Sequence, residues 1–143
     1  MNLAPEQRLG VDIKQTEQVL LATKAAALRA LDLTVPQYAA LLTLRHHPGI
    51  SGAGLARACL VTPQAVAAVL KTLVARGLVR RHDDDWNRNA RPATLTEDGE
   101  TLLADADVRA AAIEQRILDA LRPDEQDTLR ALLARCRTAI AEA

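Results

Sequence analysis

The chain has 143 residues, 49% of them apolar, and its 18 Lys and Arg residues balance its 18 Asp and Glu residues. This length suits a single domain, with or without a helical extension, and the apolar content is sufficient to bury a core. Apolar runs fall short of the roughly 20 residues that cross a bilayer, and the N-terminus lacks the pattern of a secretion signal, so we expect a cytoplasmic protein without a membrane partner.

The first half of the chain predicts two helices. Apolar residues recur at three- and four-residue spacings from Pro5 to about Leu31, which predicts one long first helix. Thr34 is a typical N-cap for a second helix, with Pro36 in its first turn, and the run His46-His47-Pro48-Gly49 ends it.

Two shorter helical patterns meet at a tight turn in the middle of the chain. Ser51 is the expected N-cap of a third helix of about two turns. Thr62 is the expected N-cap of a fourth helix, with Pro63 at its first position and Gly77 after its last turn. This is the order of a helix-turn-helix, whose second helix enters the major groove of DNA.

A β-hairpin follows the fourth helix. The segments Leu78–His82 and Arg91–Leu95 are rich in β-branched and long side chains and predict two strands joined by a polar loop over 83–90. Arg80 and Arg81 alternate across the first strand, so one should face outward while the other packs its stem over the protein.

The last third of the chain predicts two long helices. Thr96 is the expected N-cap of a fifth helix that runs to about Ala120, and Pro123 begins a sixth. The sixth helix carries an apolar face, which includes Leu133 and Cys136.

Charge is divided unevenly along the chain. Residues 57–91 hold seven Lys and Arg against three Asp, a net charge of +4, whereas residues 92–143 hold six basic and eleven acidic residues, a net charge of −5. Because affinity for DNA comes largely from neutralised phosphates, the local excess matters more than the whole-chain sum. The positive charge therefore lies on the helix-turn-helix and hairpin.

These motifs, in this order and spacing, resemble the MarR family of transcriptional regulators. The matching strings are LTVPQYAALLTL in the second helix, LARACLVTPQAVAAVLKTLVARGLVRR from the third helix into the first strand, and LTEDG after the hairpin. The resemblance implies a mainly α chain over 1–143, with a winged helix-turn-helix lobe over 34–96, a two-stranded β-wing, and long dimerisation helices over 1–33 and 97–143.

The resemblance also implies a function. We expect a DNA-binding transcriptional regulator, most simply a repressor, that acts as a homodimer on a pseudo-palindromic operator of double-stranded DNA. Many members of the family release DNA when a small aromatic or phenolic ligand binds between the lobe and the dimer helices. The corresponding ligand-site residues here are Tyr38, Arg45 and His46.

The outward face of the fourth helix is expected to touch the bases. Gln64 can bond adenine in bidentate fashion, an alanine methyl can meet thymine, and Lys71 can contact a phosphate or guanine. The full set of expected DNA contacts is Arg57, Thr62, Pro63, Gln64, Ala65, Ala68, Lys71, Thr72, Arg80, Arg88 and Arg91.

Two departures from the family pattern weaken direct base reading. Family wings carry Asp-x-Arg near the tip, and the positions in register here are Asn87 and Asn89, although Arg88 or Arg91 can still supply positive charge to a narrow minor groove. Ala68 stands where an Arg is common. We therefore expect modest base discrimination, and the alternative function is a dimeric winged-helix interaction or ligand-binding module with weak or lost DNA specificity.

Signals for other classes of protein are weak. The sequence shows no Gly-rich phosphate loop and no nucleophile-base spacing, so we expect no catalytic residue and no cofactor. His46 and His47 are adjacent, a spacing that does not present a metal site. Cys59 stands at a position where helix-turn-helix motifs hold a buried leucine and Cys136 falls on an apolar face, so both are expected to be core residues; a redox role for either stays an alternative.

Overall fold

The computed structural model describes residues 2–82 and 92–142 and is mainly helical. Within those ranges the elements are α1 (Leu9–Leu28), α2 (Val35–His46), α3 (Gly52–Cys59), α4 (Pro63–Ala75), β1 (Val79–Arg81), β2 (Ala93–Leu95), α5 (Glu97–Asp119) and α6 (Pro123–Ala141). The predicted fold class, a mainly α winged helix-turn-helix with a two-stranded wing, is confirmed.

Element boundaries differ from the sequence prediction at the first helix and at the wing. The predicted helix over 5–31 is α-helical only in α1 and has short 3₁₀ turns at Pro5–Gln7 and Arg29–Leu31. Asp32 follows in the left-handed conformation, with φ of 51°, and this ends the helical path. The strands are three residues long, shorter than predicted, although the amide of His82 still donates to the carbonyl of Pro92 at 2.9 Å.

The N-caps predicted from sequence are confirmed. Four of them accept a hydrogen bond from the backbone amide three residues later, at 3.1 or 3.2 Å: Thr34, Ser51, Thr62 and Thr96. Each such bond satisfies an amide that the helix itself leaves without a partner, and is worth about 1 kcal/mol. Local sequence therefore fixes where these helices begin.

The chain forms two compact units, Met1–Ala110 and Ala111–Ala143. The first holds a core built mainly from leucine and alanine. Its most deeply buried large side chains are Leu28, Leu41, Leu44, Leu55, Leu70, Leu73 and Leu103. Because α2, α3, α4 and the first part of α5 all contribute to this core, the outward side of α4 is held at a fixed orientation.

The wing joins the rest of the first unit at a tight junction. β1 and β2 pair antiparallel with Val79 opposite Leu95, and Gly77 takes a φ of +72° before β1. The Leu78 carbonyl accepts a hydrogen bond from the Thr96 amide at 3.1 Å. A Cβ on Gly99 would collide with that same carbonyl, so α5 begins directly against the base of the wing.

Across residues 2–82 and 92–142, no single helix is long and apolar enough to cross a membrane. α3 and α4 reach that length and composition only when taken together, and the pair is bent by 107°.

Candidate nucleic-acid interface

The outward side of α4 is open to solvent. Val66, Leu70 and Leu73 lie on its core side and are at most 3% exposed. At 100° per residue, the opposite side carries three of the residues predicted to meet DNA, all of them exposed: Gln64, Ala68 and Lys71. A helix of 13 residues with one uncovered side has the dimensions to enter a major groove.

The N-terminus of α4 is also uncovered. Thr62 and Pro63 are exposed, and the Thr62 hydroxyl oxygen accepts from the Ala65 amide at 3.1 Å. Backbone amides at the start of a helix, together with its dipole, attract phosphate. Thr62 therefore serves as a cap whether or not it meets DNA, and the helix end it organises is available to a phosphate.

Two predicted contacts have a less direct position. Thr72 donates its hydroxyl to the carbonyl of Ala68 at 3.2 Å, so its donor is engaged within the helix. Ala65 lies at the side of α4 rather than opposite the core, and it also lines a cleft described below. Ala65 can therefore touch DNA only at the edge of the interface.

Arginines extend the positive surface beyond α4. Arg57 on α3 is exposed. On β1, Arg80 is exposed and Arg81 is half-buried, which confirms that the two alternate across the strand. Arg88 and Arg91, predicted at the wing, lie outside the described residues.

Comparisons with known proteins identify the same family along the chain. The MarR family model matches residues 31–85. The HTH-type transcriptional repressor Rv2887 of Mycobacterium tuberculosis is 36% identical over 133 residues, which are 93% of this chain and 96% of that protein. This chain belongs to the MarR family. It therefore joins a family of DNA-binding transcriptional regulators.

Solved structures of the same mycobacterial MarR-family protein match this chain at 35% identity. Its complex with DNA has a TM-score of 0.68 and covers 90% of this chain and 97% of that one. Its complex with salicylic acid has a TM-score of 0.71 and covers 94% of this chain and 99% of that one. The fold of this MarR-family protein thus matches nearly the whole of the present chain.

Two of the three residues predicted for a MarR ligand site, Tyr38 and Arg45, are joined by a carboxylate that the sequence analysis did not identify. Tyr38 is 7% exposed and donates its hydroxyl to Asp107 Oδ1 at 2.8 Å. Arg45 donates to the other oxygen, Oδ2, at 2.9 Å. His46, at the end of α2, is exposed. Asp107 lies 69 positions from Tyr38, and no local spacing links them.

A large cleft lies elsewhere in this unit. It has a volume of about 1060 Å³ and is bounded by α1, the segment 32–36, α2, the α3–α4 turn and one side of α4. None of Tyr38, Arg45 and His46 is among its described lining residues. The prediction that those three bind a ligand stays a prediction, and the cleft is a second place where a small molecule fits.

Both cysteines were predicted to be core residues, and Cys59 does pack against the core, although neither thiol is fully buried. Cys59 and Cys136 are both half-buried free thiols. Cys59 lines the cleft, with its sulfur 3.6 Å from the hydroxyl of Thr43. In the described part of the chain, no group of three or more His, Cys, Asp or Glu residues is arranged to hold a metal ion.

Proposed function

We propose that this MarR-family chain is a cytoplasmic, ligand-responsive repressor that binds a pseudo-palindromic operator as a homodimer. The observation that carries the proposal is the uncovered side of α4, with Gln64 and Lys71 exposed and the capped helix end open to phosphate. The mycobacterial relative in complex with DNA supports it.

Large apolar side chains that are exposed to solvent in the isolated chain support the homodimer. Leu9 and Val19 on α1 are 71% and 68% exposed, and Leu132 and Ile140 on α6 are 47% and 74% exposed. Monomers seldom leave so many large apolar side chains in water, and a second copy would cover them. We assign the lobe to 34–96 and the dimerisation helices to 1–33 and 97–143.

The salicylic acid complex of the relative supports the ligand response. If a ligand prefers a lobe position that does not fit two successive major grooves, it lowers the affinity for DNA. Thermodynamic linkage then requires DNA to lower the affinity for the ligand by the same factor. Both factors can be measured, and unequal values would contradict a single coupled equilibrium.

The experiment is a titration of purified protein against labelled DNA from its own upstream region, at several salt concentrations. Lys71→Ala removes an expected phosphate contact, so the slope of log affinity against log salt should fall by about one. Arg88→Ala should act in the same direction. Arg109→Ala is the matched control, since Arg109 is an exposed cation on α5 and is not among the expected DNA contacts, so its loss should leave the slope unchanged. Equal slopes for wild type, Lys71→Ala and Arg88→Ala would contradict the proposed surface.

The dimer has a separate test. Leu133→Asp places a charge on the half-buried face of α6, and burying it without a partner would prevent association. Sedimentation should show a monomer. A variant that still sediments as a dimer would exclude this face from the interface.

One observation favours the second candidate, a dimeric module that binds another protein or a small molecule and has weak DNA specificity. Ala68, at the centre of the outward side of α4, offers a base only a methyl group. Under this alternative, binding to the upstream region and to random DNA would be equally tight at every salt concentration. A preference for the upstream region of tenfold or more, a threshold of about 1.4 kcal/mol, would exclude it.

A further inference from the structure

The cleft beside α4 is long, apolar and open. One wall runs from Glu17 on α1 to Arg29, the first residue after α1, a rise of about 18 Å along the helix axis. Most of its described lining is alanine, valine and leucine. A volume of about 1060 Å³ lies at the upper end of the range for small-molecule sites. No α5 residue is among its described lining residues, which separates it from the Tyr38–Arg45–Asp107 cluster.

One side of α4, the helix expected to enter the major groove, forms a wall of this cleft. Ala65, Val66 and Val69 of α4 line it, and Val61 in the preceding turn does so as well. A molecule seated there would touch the same helix that carries Gln64 and Lys71 on its outward side. Occupancy of the cleft would therefore act on the DNA-reading helix directly.

Leu60 lines the cleft in an unfavourable backbone conformation. Its φ is 57°, in the left-handed region where a leucine is unfavourable, and it is 91% exposed. A glycine or asparagine would serve the turn better. Leu60 is the C-cap of α3, so its left-handed conformation ends that helix and leaves an apolar side chain in the lining of the cleft.

The two ends of the cleft differ in charge. The charged residues among its described lining are Glu17, Arg29 and Asp32, a net charge of −1. Arg29 and Asp32 lie near one end, where Arg76 also donates to the Asp32 carbonyl at 2.7 Å, so that end does not attract a cation. Glu17 lies at the far end of the α1 wall and makes no ion pair with any described residue.

We propose that this cleft binds an elongated, mainly apolar small molecule that carries one positive charge, with its cation toward Glu17, and that binding lowers the affinity of α4 for DNA. The proposal deepens the ligand-responsive function proposed above and rests on it for the effect on DNA. It differs from the salicylic acid complex of the relative in the charge of the ligand, because salicylic acid is an anion at neutral pH.

Cys59 provides a readout inside the cleft that does not depend on DNA. In a Cys136→Ala background, Cys59 is the only thiol in the chain, and its rate of alkylation by iodoacetamide can be followed by mass spectrometry. Three probes share one apolar group and differ in charge: 4-phenylbutylamine, 4-phenylbutanol and 4-phenylbutanoate. We expect the amine to protect Cys59 from alkylation at the lowest concentration and the carboxylate to need the highest. The two protecting concentrations should differ by roughly threefold or more.

Two substitutions with matched controls locate the binding. Ala25→Leu puts extra volume into the cleft and should reduce protection by the amine at least about tenfold, whereas Ala26→Leu adds the same volume to an exposed neighbour that does not line it. Glu17→Gln should remove the preference for the amine over the alcohol, whereas Asp12→Asn, on an exposed part of α1, should keep it.

Three results would overturn the proposal. One is a failure of every probe to protect Cys59. Another is protection by the carboxylate at least equal to that by the amine. The third is alkylation of Cys59 only after the dimer has been dissociated by dilution. That result would mean that a second copy of the chain, and not a small molecule, occupies the cleft.

The effect on DNA is measured separately. The coupling is supported if the amine releases labelled upstream DNA from the wild type and from Ala26→Leu but not from Ala25→Leu. It is overturned if saturating amine leaves the DNA affinity of the wild type unchanged. If the ligand-free protein binds no DNA while Cys59 is still protected, the proposed function fails and binding in the cleft stands.

Discussion

Replacing Gly99 by alanine should destabilise the protein, against the usual trend for helices. Gly99 is the third residue of α5, and alanine in a helix interior is ordinarily favoured over glycine by up to about 1 kcal/mol. Here the added Cβ would overlap the backbone carbonyl of Leu78. That carbonyl already accepts from the Thr96 amide at 3.1 Å, so it cannot move away without disturbing the junction between wing and helix.

The size of the effect follows from these opposing terms. Overpacking against a backbone atom costs about 1–3 kcal/mol, and weakening the Thr96 hydrogen bond costs about 1 kcal/mol more. The helix-propensity gain offsets about 1 kcal/mol of this. We expect a net loss of about 1–3 kcal/mol in the free energy of unfolding, or a fall of roughly 3–10 °C in Tm for a chain of this length.

The assay is thermal unfolding followed by circular dichroism, with every variant at the same protomer concentration because the proposed homodimer would make Tm depend on concentration. Gly52→Ala is the matched control. Gly52 is the first residue of α3, and a Cβ there has no neighbour within 4 Å, so its replacement should be neutral or raise stability by about 0.5–1 kcal/mol. A Gly99→Ala variant that melts at or above the wild-type temperature would refute the steric reasoning.

Three further substitutions test the local structure around α4 and α2, each by urea unfolding. Thr62→Ala should lower the free energy of unfolding by about 1 kcal/mol while Thr62→Ser retains most of it, and equal losses for both would exclude the capping hydroxyl as the cause. Leu60→Asn should raise stability by about 0.5–1 kcal/mol because asparagine tolerates a φ of 57°; a loss would show that Leu60 contributes contacts worth more than its strain. Asp107→Asn should lower the free energy of unfolding by about 1 kcal/mol or less, since the side chains of Arg45 and Asp107 are 29% and 37% exposed and solvent screens their ion pair. A decrease well above that value would mean that this ion pair supports the core.

The order of the elements and the outward side of α4 were predictable from sequence because their causes are local. Thr34, Ser51, Thr62 and Thr96 each cap a helix through an amide three residues away, so the signal lies within one helical turn. The spacing of the apolar residues Val66, Leu70 and Leu73 likewise predicts which side of α4 is buried. Gln64 and Lys71 must then face outward.

Tertiary structure alone decided the contacts between distant segments. Asp107 meets Tyr38 across 69 positions, and Arg76 reaches the Asp32 carbonyl across 44, and neither pair has a spacing that a sequence pattern could reveal. The cleft has the same origin, because its walls come from three parts of the chain that share no periodicity. A helix cap needs only neighbours within a turn, whereas a cavity or a bridge depends on how whole helices pack, and packing is fixed by the summed shape of many side chains.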